Sequence, residues 1–162
     1  MDALALAAGL PEENWTVHTL GRYRAGGRVA RVGPLPEHEA RAWLRELVDV
    51  RERGLAEPVP LPLKTSLAFA EEHLLVRQGR GEDADARAGA QWTTPRFSDT
   101  GIPTEDADAW HRRAFGDRAP YSLLAAPTRP DERWNDAPHR LGQYAWRVWG
   151  PLLEGREAVH GL

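Results

Sequence analysis

The chain has 162 residues, 41% of them apolar and 28% charged, a composition that fits an ordinary globular fold and excludes a collagen-like chain. It contains no cysteine, which excludes disulfide scaffolds, thiolate zinc sites, iron–sulfur clusters and cysteine nucleophiles, and makes a reducing cytoplasm the simplest location. With a formal net charge of −3 there is no global field to draw in nucleic acid or an anionic membrane, so any polyanion site must be local.

Lys64 is the single lysine among the 21 basic residues. A P-loop needs Gly-Lys-Ser/Thr so that backbone amides cradle phosphates while the lysine neutralises them. Lys64 instead sits in Pro62-Leu63-Lys64-Thr65, which excludes a Walker-type ATPase. A metal-dependent nuclease of the Asp…(Asp/Glu)-x-Lys kind needs an acid two positions before its lysine, and that position is Pro62. No run reaches the ~18–20 apolar residues of a membrane span. The start, Met1-Asp2-Ala3-Leu4, lacks the basic n-region of a signal peptide. A soluble, unexported protein with no membrane contact is expected.

In chain order, Asp2 through Gly9 read as a short Ala/Leu helix stopped by Gly9 and Pro11, with Asp2 as its cap. Trp15–Leu20 and Arg28–Val32 are β-prone runs around Arg24-Ala25-Gly26-Gly27, which reads as a β-hairpin. From Pro36 to Arg53 the apolar positions Ala40, Trp43, Leu44, Leu47 and Val48 share one helical face, and Gly54 stands at the expected stop. Prolines at every second position from Pro58 to Pro62 predict an extended strap. A helix capped by Thr65 or Ser66 should then run to about Gln78, burying Leu67, Ala70, Leu74 and Leu75.

The glycine- and acid-rich stretch from Gly79 to about Ala90 has few large apolar groups and reads as a mobile loop. Thr104 is placed to cap a helix to Phe115 with Ala107, Trp110, Ala114 and Phe115 on its buried face. A last helix from Asp136 carries the stripe Leu141, Tyr144, Ala145, Val148, Trp149 and Leu152, until Pro151 kinks or stops it. The expected fold class is α+β and mainly helical: one domain over residues 1–162, with a small β-hairpin packed with about four to five helices.

Four arginines, Arg22, Arg24, Arg28 and Arg31, fall within ten acid-free residues of the hairpin. Guanidinium groups bind phosphate in bidentate fashion, so this is the candidate DNA contact; the competing reading is a solvated charged hairpin. Among seven tryptophans, Trp43, Trp110 and Trp149 lie on apolar helical faces and read as core. Trp15, Trp92, Trp134 and Trp146 are less explained, and Trp92, Trp134 and Trp146 are the candidates for a partner interface. The six histidines show no metal-ligand spacing, and Ser66, Ser98 and Ser122 lack a nucleophile elbow. No catalytic residue, metal or cofactor is therefore expected. The acids Glu105, Asp106 and Asp108 read as partners of a helix N-terminus.

The order of these features resembles a known family. An Ala/Leu helix like Leu4-Ala5-Leu6-Ala7 comes first, then a strand ending like Thr19-Leu20-Gly21-Arg22 and a Pro-Leu-Pro-Glu-His-Glu-Ala-Arg helix opening. The tract from Gly54 to Ala70, joining a Pro/Leu run to Lys64-Thr65 and an Ala-aromatic helix, is the most specific likeness. Trp146-Arg147-Val148-Trp149-Gly150-Pro151-Leu152-Leu153 resembles a closing aromatic-Gly-Pro-Leu-Leu segment. Together they resemble the C-terminal region of the RecC family, the gamma subunit of exodeoxyribonuclease V.

The resemblance implies a non-catalytic subunit of a helicase–nuclease complex that processes double-strand DNA ends for recombinational repair. RecB-like and RecD-like motors would be its partners, and DNA would be met through the complex. It also implies a fold like the C-terminal part of an inactive PD-(D/E)XK nuclease domain, in a fragment or excised domain of a longer chain. The alternative is a free-standing protein-interaction module unrelated to DNA.

Overall fold

The computed structural model describes residues 2–23, 26–93 and 104–161. Among them are seven α-helices and one small antiparallel sheet, in agreement with a mainly helical α+β class; the expected four to five helices are exceeded because Ala84–Trp92 and Tyr121–Leu124 are also helical. The chain divides into two compact units, Met1–Arg51 with Pro151–Leu162 and Glu52–Gly150.

In the first unit, α1 (Asp2–Gly9) leads to β1 (Val17–Tyr23), β2 (Gly26–Val32) and α2 (Glu37–Ala56), whose residues from Glu52 onward are counted with the second unit. Leu4 and Ala7 of α1 are buried with Ala40 of α2, and Leu35, Trp43, Leu44 and Leu47 pack around them. The helical periodicity of residues 40–47 therefore does select the core face, but Val48, expected on it, is 51% exposed. Gly54 does not end the helix as expected. It stays helical, and α2 stops at Ala56, just before Pro58 removes a backbone donor.

The hairpin pairs Val17 with Val32 through Tyr23 with Gly26, and the expected turn residues Arg24 and Ala25 lie outside the described residues. The expected two-stranded hairpin is in fact one part of a three-stranded sheet of order β1-β2-β3, because β3 (Glu157–Gly161) pairs with β2. The preceding turn at Leu152–Arg156 carries Gly155 at φ 102°, a left-handed conformation that suits glycine. Gly33, at φ +98°, is fixed more tightly, since a Cβ there would meet the Trp15 carbonyl oxygen at 2.5 Å.

The second unit is built on α3 (Leu63–Arg77), α4 (Ala84–Trp92) and α7 (Arg140–Pro151), with the short α5 (Ala109–Phe115) and α6 (Tyr121–Leu124) between. The expected loop over residues 79–90 is corrected: only the segment up to Asp83 is non-helical. Asp83 accepts hydrogen bonds from the N–H groups of Asp85 and Ala86 and so caps α4. Ala88 and Trp92 anchor that helix, a small apolar count that the composition understated.

The buried side of α3 is Thr65, Ser66, Ala68, Phe69 and Ala70, whereas Leu67, Leu74 and Leu75 are half-buried. Phe69 on that side leaves no room for a side chain at the facing glycine. A Cβ on Gly142 of α7 would meet Phe69 Cζ and Ala137 Cβ at 2.7 Å. The start of α3 also departs from expectation, since neither Thr65 nor Ser66 caps it. Pro62 holds the N-cap position, and the Glu105 carboxylate accepts the Lys64 N–H at 2.8 Å and the Thr65 N–H at 2.7 Å.

The expected helix over 104–115 is split into a 3-10 turn at Glu105–Ala107 and α5, which Asp108 caps through the N–H groups of Trp110 and His111. Its predicted buried face is also corrected. Trp110 is 77% exposed and Ala107 and Ala114 are exposed, while His111 and Phe115 pack on Trp92 at 5.6 and 6.1 Å between ring centroids. Trp92 fills the inner position, so α5 presents its i, i+4 aromatic pair to it.

The last helix begins at Arg140 rather than Asp136, because side-chain hydrogen bonds hold the preceding residues in turns. Buried Gln143 accepts from the N–H groups of Trp134 and Asn135 and donates to the carbonyls of Asn135 and Ala137. Every polar position of that amide is thereby satisfied.

Candidate functional site

The candidate contact arginines are divided by strand geometry. Register pairs His18 with Arg31, Gly21 with Arg28 and Arg22 with Gly27. Side chains alternate along a strand and registered partners share a face. Arg31 therefore lies on one face of the sheet and Arg28 on the other, both exposed. Arg28 is already engaged in an interaction. The backbone of Arg22 pairs with Gly27, and Arg24 lies outside the described residues.

Two residues missed by sequence reasoning join Arg31. His18 stands directly opposite it, and His160 of β3 pairs with Val29 in the adjacent row. His18 was visible only as an isolated imidazole in a strand, and β3 is too short to have declared itself by alternation.

Of the three interface tryptophans, Trp92 is not available. It is fully buried and donates from Nε1 to the Ala119 carbonyl at 2.7 Å, which corrects its assignment. Trp134 is half-buried, with the Arg147 and Arg53 guanidinium carbons 4.0 and 4.9 Å from its ring and Tyr144 edge-on at 5.2 Å. Trp146 is half-buried between Arg77, at 4.9 Å, and His73. Such cation–π contacts fix both rings and cover part of their surface.

Glu132, Arg140, Glu57 and Arg129 of the second unit are linked in one network. Buried Glu132 accepts from Arg140 Nε at 2.7 and 2.9 Å, from Arg140 Nη2 at 2.7 Å and from the Tyr144 hydroxyl at 2.9 Å. Glu57 accepts from Arg140 at 3.1 Å and from Arg129. Burial opposes ionisation of Glu132, but these hydrogen bonds outweigh it and hold its carboxyl below the usual range. Burial and donation to Glu132 push the Tyr144 phenol up.

His139 and Asp85 superficially suggest a catalytic dyad, with His139 Nε2 2.7 Å from Asp85 Oδ1. The geometry argues against that role. His139 Nδ1 accepts the Gly142 N–H at 3.1 Å, so its lone pair caps α7 and is withheld from a substrate proton. Asp85 also accepts from the Tyr121 hydroxyl at 2.7 Å, and burial together with that bond pushes the Tyr121 phenol up. Nor do the acids at 105–108 gather a cation. Glu105 caps α3, Asp106 accepts from Thr104 at 2.5 Å, and Asp108 caps α5. No group of three or more potential ligands is assembled among the described residues.

The family model for the RecC C-terminal domain matches residues 1–74, which cover α1, the hairpin, α2, the proline strap and most of α3. The RecBCD enzyme subunit RecC of Mycobacterium tuberculosis is 36% identical over 156 residues, 96% of this chain and 13% of the relative. That of Mycolicibacterium smegmatis is 39% identical over 158 residues, 96% of this chain and 14% of the relative. The chain is a relative of RecC. It spans about an eighth of the length of these RecC subunits, and the hairpin arginines fall inside the segment matched to the RecC C-terminal domain. No solved structure matches it.

Proposed function

We propose that the chain works as the C-terminal part of a RecC-type gamma subunit in a helicase–nuclease of the exodeoxyribonuclease V kind, acting in the repair of double-strand breaks. The observation that carries this reading is 36–39% identity to RecC subunits along 96% of the chain. In this reading its role is to scaffold RecB-like and RecD-like motors and to handle DNA without catalysis of its own, in the cytoplasm. An inactive nuclease-like ancestry agrees with buried Pro62 two positions before Lys64, where a nuclease would need an acid.

The test is co-purification of the tagged full chain from its own cells after nuclease treatment, with mass spectrometry of what remains. Recovery of a RecB-like or RecD-like motor is the expected outcome. Recovery of neither, from a folded bait in a lysate containing both, would discard the reading. The 77% exposure of Trp110 favours the second reading, a protein-interaction module unrelated to DNA. A different, salt-independent partner in the same experiment would support it.

A further inference from the structure

No described residue of the three-stranded sheet is buried, although a sheet of this size ordinarily needs an apolar face against something else. Its two faces differ in a way that only the register reveals. One face carries Val17, Thr19, Ala30, Val32, Arg28 and Glu157, and four of these, Val17, Ala30, Val32 and Glu157, are half-buried. The other has His18 beside Arg31 in one row and Leu20, Val29 and His160 in the next. Leu20 is 74% exposed, and His18, Arg31 and His160 are exposed.

No acid holds a register position on that second face, while Arg31, His18 and His160 do. This separation of sign is local, since the chain as a whole carries −3. A guanidinium flanked by imidazole N–H donors, with no acid at the register positions of its face, complements phosphate oxygens. Exposed Leu20 in the adjacent row, beside half-buried Val29, suits contact with sugar and base edges.

We infer that the face of the sheet bearing Arg31, His18 and His160 docks the phosphate backbone of DNA, and that the Arg28 face does not. This deepens the DNA-handling part of the proposed function and rests on it for the choice of DNA over another polyanion. Of the described hairpin arginines it keeps Arg31 and sets Arg28 aside.

The experiment is fluorescence anisotropy of labelled single-stranded and duplex oligonucleotides titrated with the full chain across a salt series. Wild type is compared with Arg31→Glu, Arg31→Lys and Arg28→Glu, each checked for an unchanged circular dichroism spectrum. Arg31→Glu is expected to weaken binding roughly 10-fold and to flatten the salt slope by about one unit, as loss of a phosphate contact does. Arg31→Lys should recover most of the affinity, and Arg28→Glu should stay within about 2-fold, being on the other face.

Equal losses for Arg31→Glu and Arg28→Glu would overturn the face assignment, as would wild-type binding that no salt concentration changes. Loss of a captured protein partner in Arg31→Glu, with DNA binding intact, would also overturn it and give the face to an acidic protein segment. Failure of the proposed function is read separately, as absence of the motor subunits from the wild-type co-purification whatever the anisotropy shows.

Discussion

Glu132 and Arg140 are eight residues apart in sequence and joined by three N···O contacts of 2.7 to 2.9 Å, with the carboxylate wholly out of solvent. Removing Arg140 leaves the Glu132 carboxylate charged and buried, whereas removing Glu132 leaves Arg140 half-buried and still paired with Glu57. Arg140→Ala should therefore destabilise the protein by about 3 kcal/mol or more, and Glu132→Ala by less. A shift of the urea midpoint at constant slope measures it, and a change below about 1 kcal/mol would show the pair to be dispensable.

The same carboxylate predicts a pH dependence. Because its pKa is lowered in the folded state, ionised Glu132 contributes stability that is fully present above the ordinary glutamate value of about 4.3 and is lost as pH falls through the lower folded value. Urea midpoints taken between pH 6 and pH 3 should fall for wild type and fall less steeply for Glu132→Gln. Parallel curves would assign the acid sensitivity to other carboxylates.

Glu105 caps α3 from 40 residues away, and beside it the Thr65 hydroxyl is buried without a hydrogen-bond partner. Glu105→Gln turns one acceptor into a donor facing a backbone N–H, at a cost of about 1–2 kcal/mol. Thr65→Val removes an unpaired hydroxyl at nearly constant volume and should be neutral or stabilising by about 1 kcal/mol. Thermal midpoints moving in the same downward direction for both variants would contradict this account.

At Gly142 two effects compete. Alanine favours a helix interior by about 1 kcal/mol, but its Cβ would stand 2.7 Å from Phe69 Cζ and Ala137 Cβ. Overpacking of that kind costs roughly 1–3 kcal/mol, so Gly142→Ala should destabilise on balance. A raised thermal midpoint would mean that Phe69 can move aside.

Trp92 and Trp110 should respond oppositely to replacement. Trp92→Ala empties a fully buried site and should cost about 3–5 kcal/mol, whereas Trp110→Ser changes a side chain 77% exposed and should stay within about 0.5 kcal/mol. Tryptophan emission gives an independent check, since loss of Trp110 should remove the most solvent-shifted component of the spectrum.

Much of this was legible in residue order. The spacing of Ala40, Trp43, Leu44 and Leu47 selected the inner face of α2, because helical periodicity alone decides which side chains can meet a neighbour. The alternate prolines of the strap excluded a helix before α3, since proline removes backbone donors. The feature order and the Gly54–Ala70 tract carried the likeness to RecC, which the comparisons bear out.

Tertiary structure alone decided the rest. Trp92 and Trp110 exchanged their expected places because only the docking of His111 and Phe115 determines which indole is enclosed. The cap of α3 came from Glu105, a partner that no local spacing could identify. Arg28 and Arg31, three residues apart, fell on opposite faces through strand alternation, and His160 joined Arg31 only when β3 paired with β2. A sequence constrains what each segment can become; which distant groups share a face is set by register and packing, and those arise from long-range contacts that no short window contains.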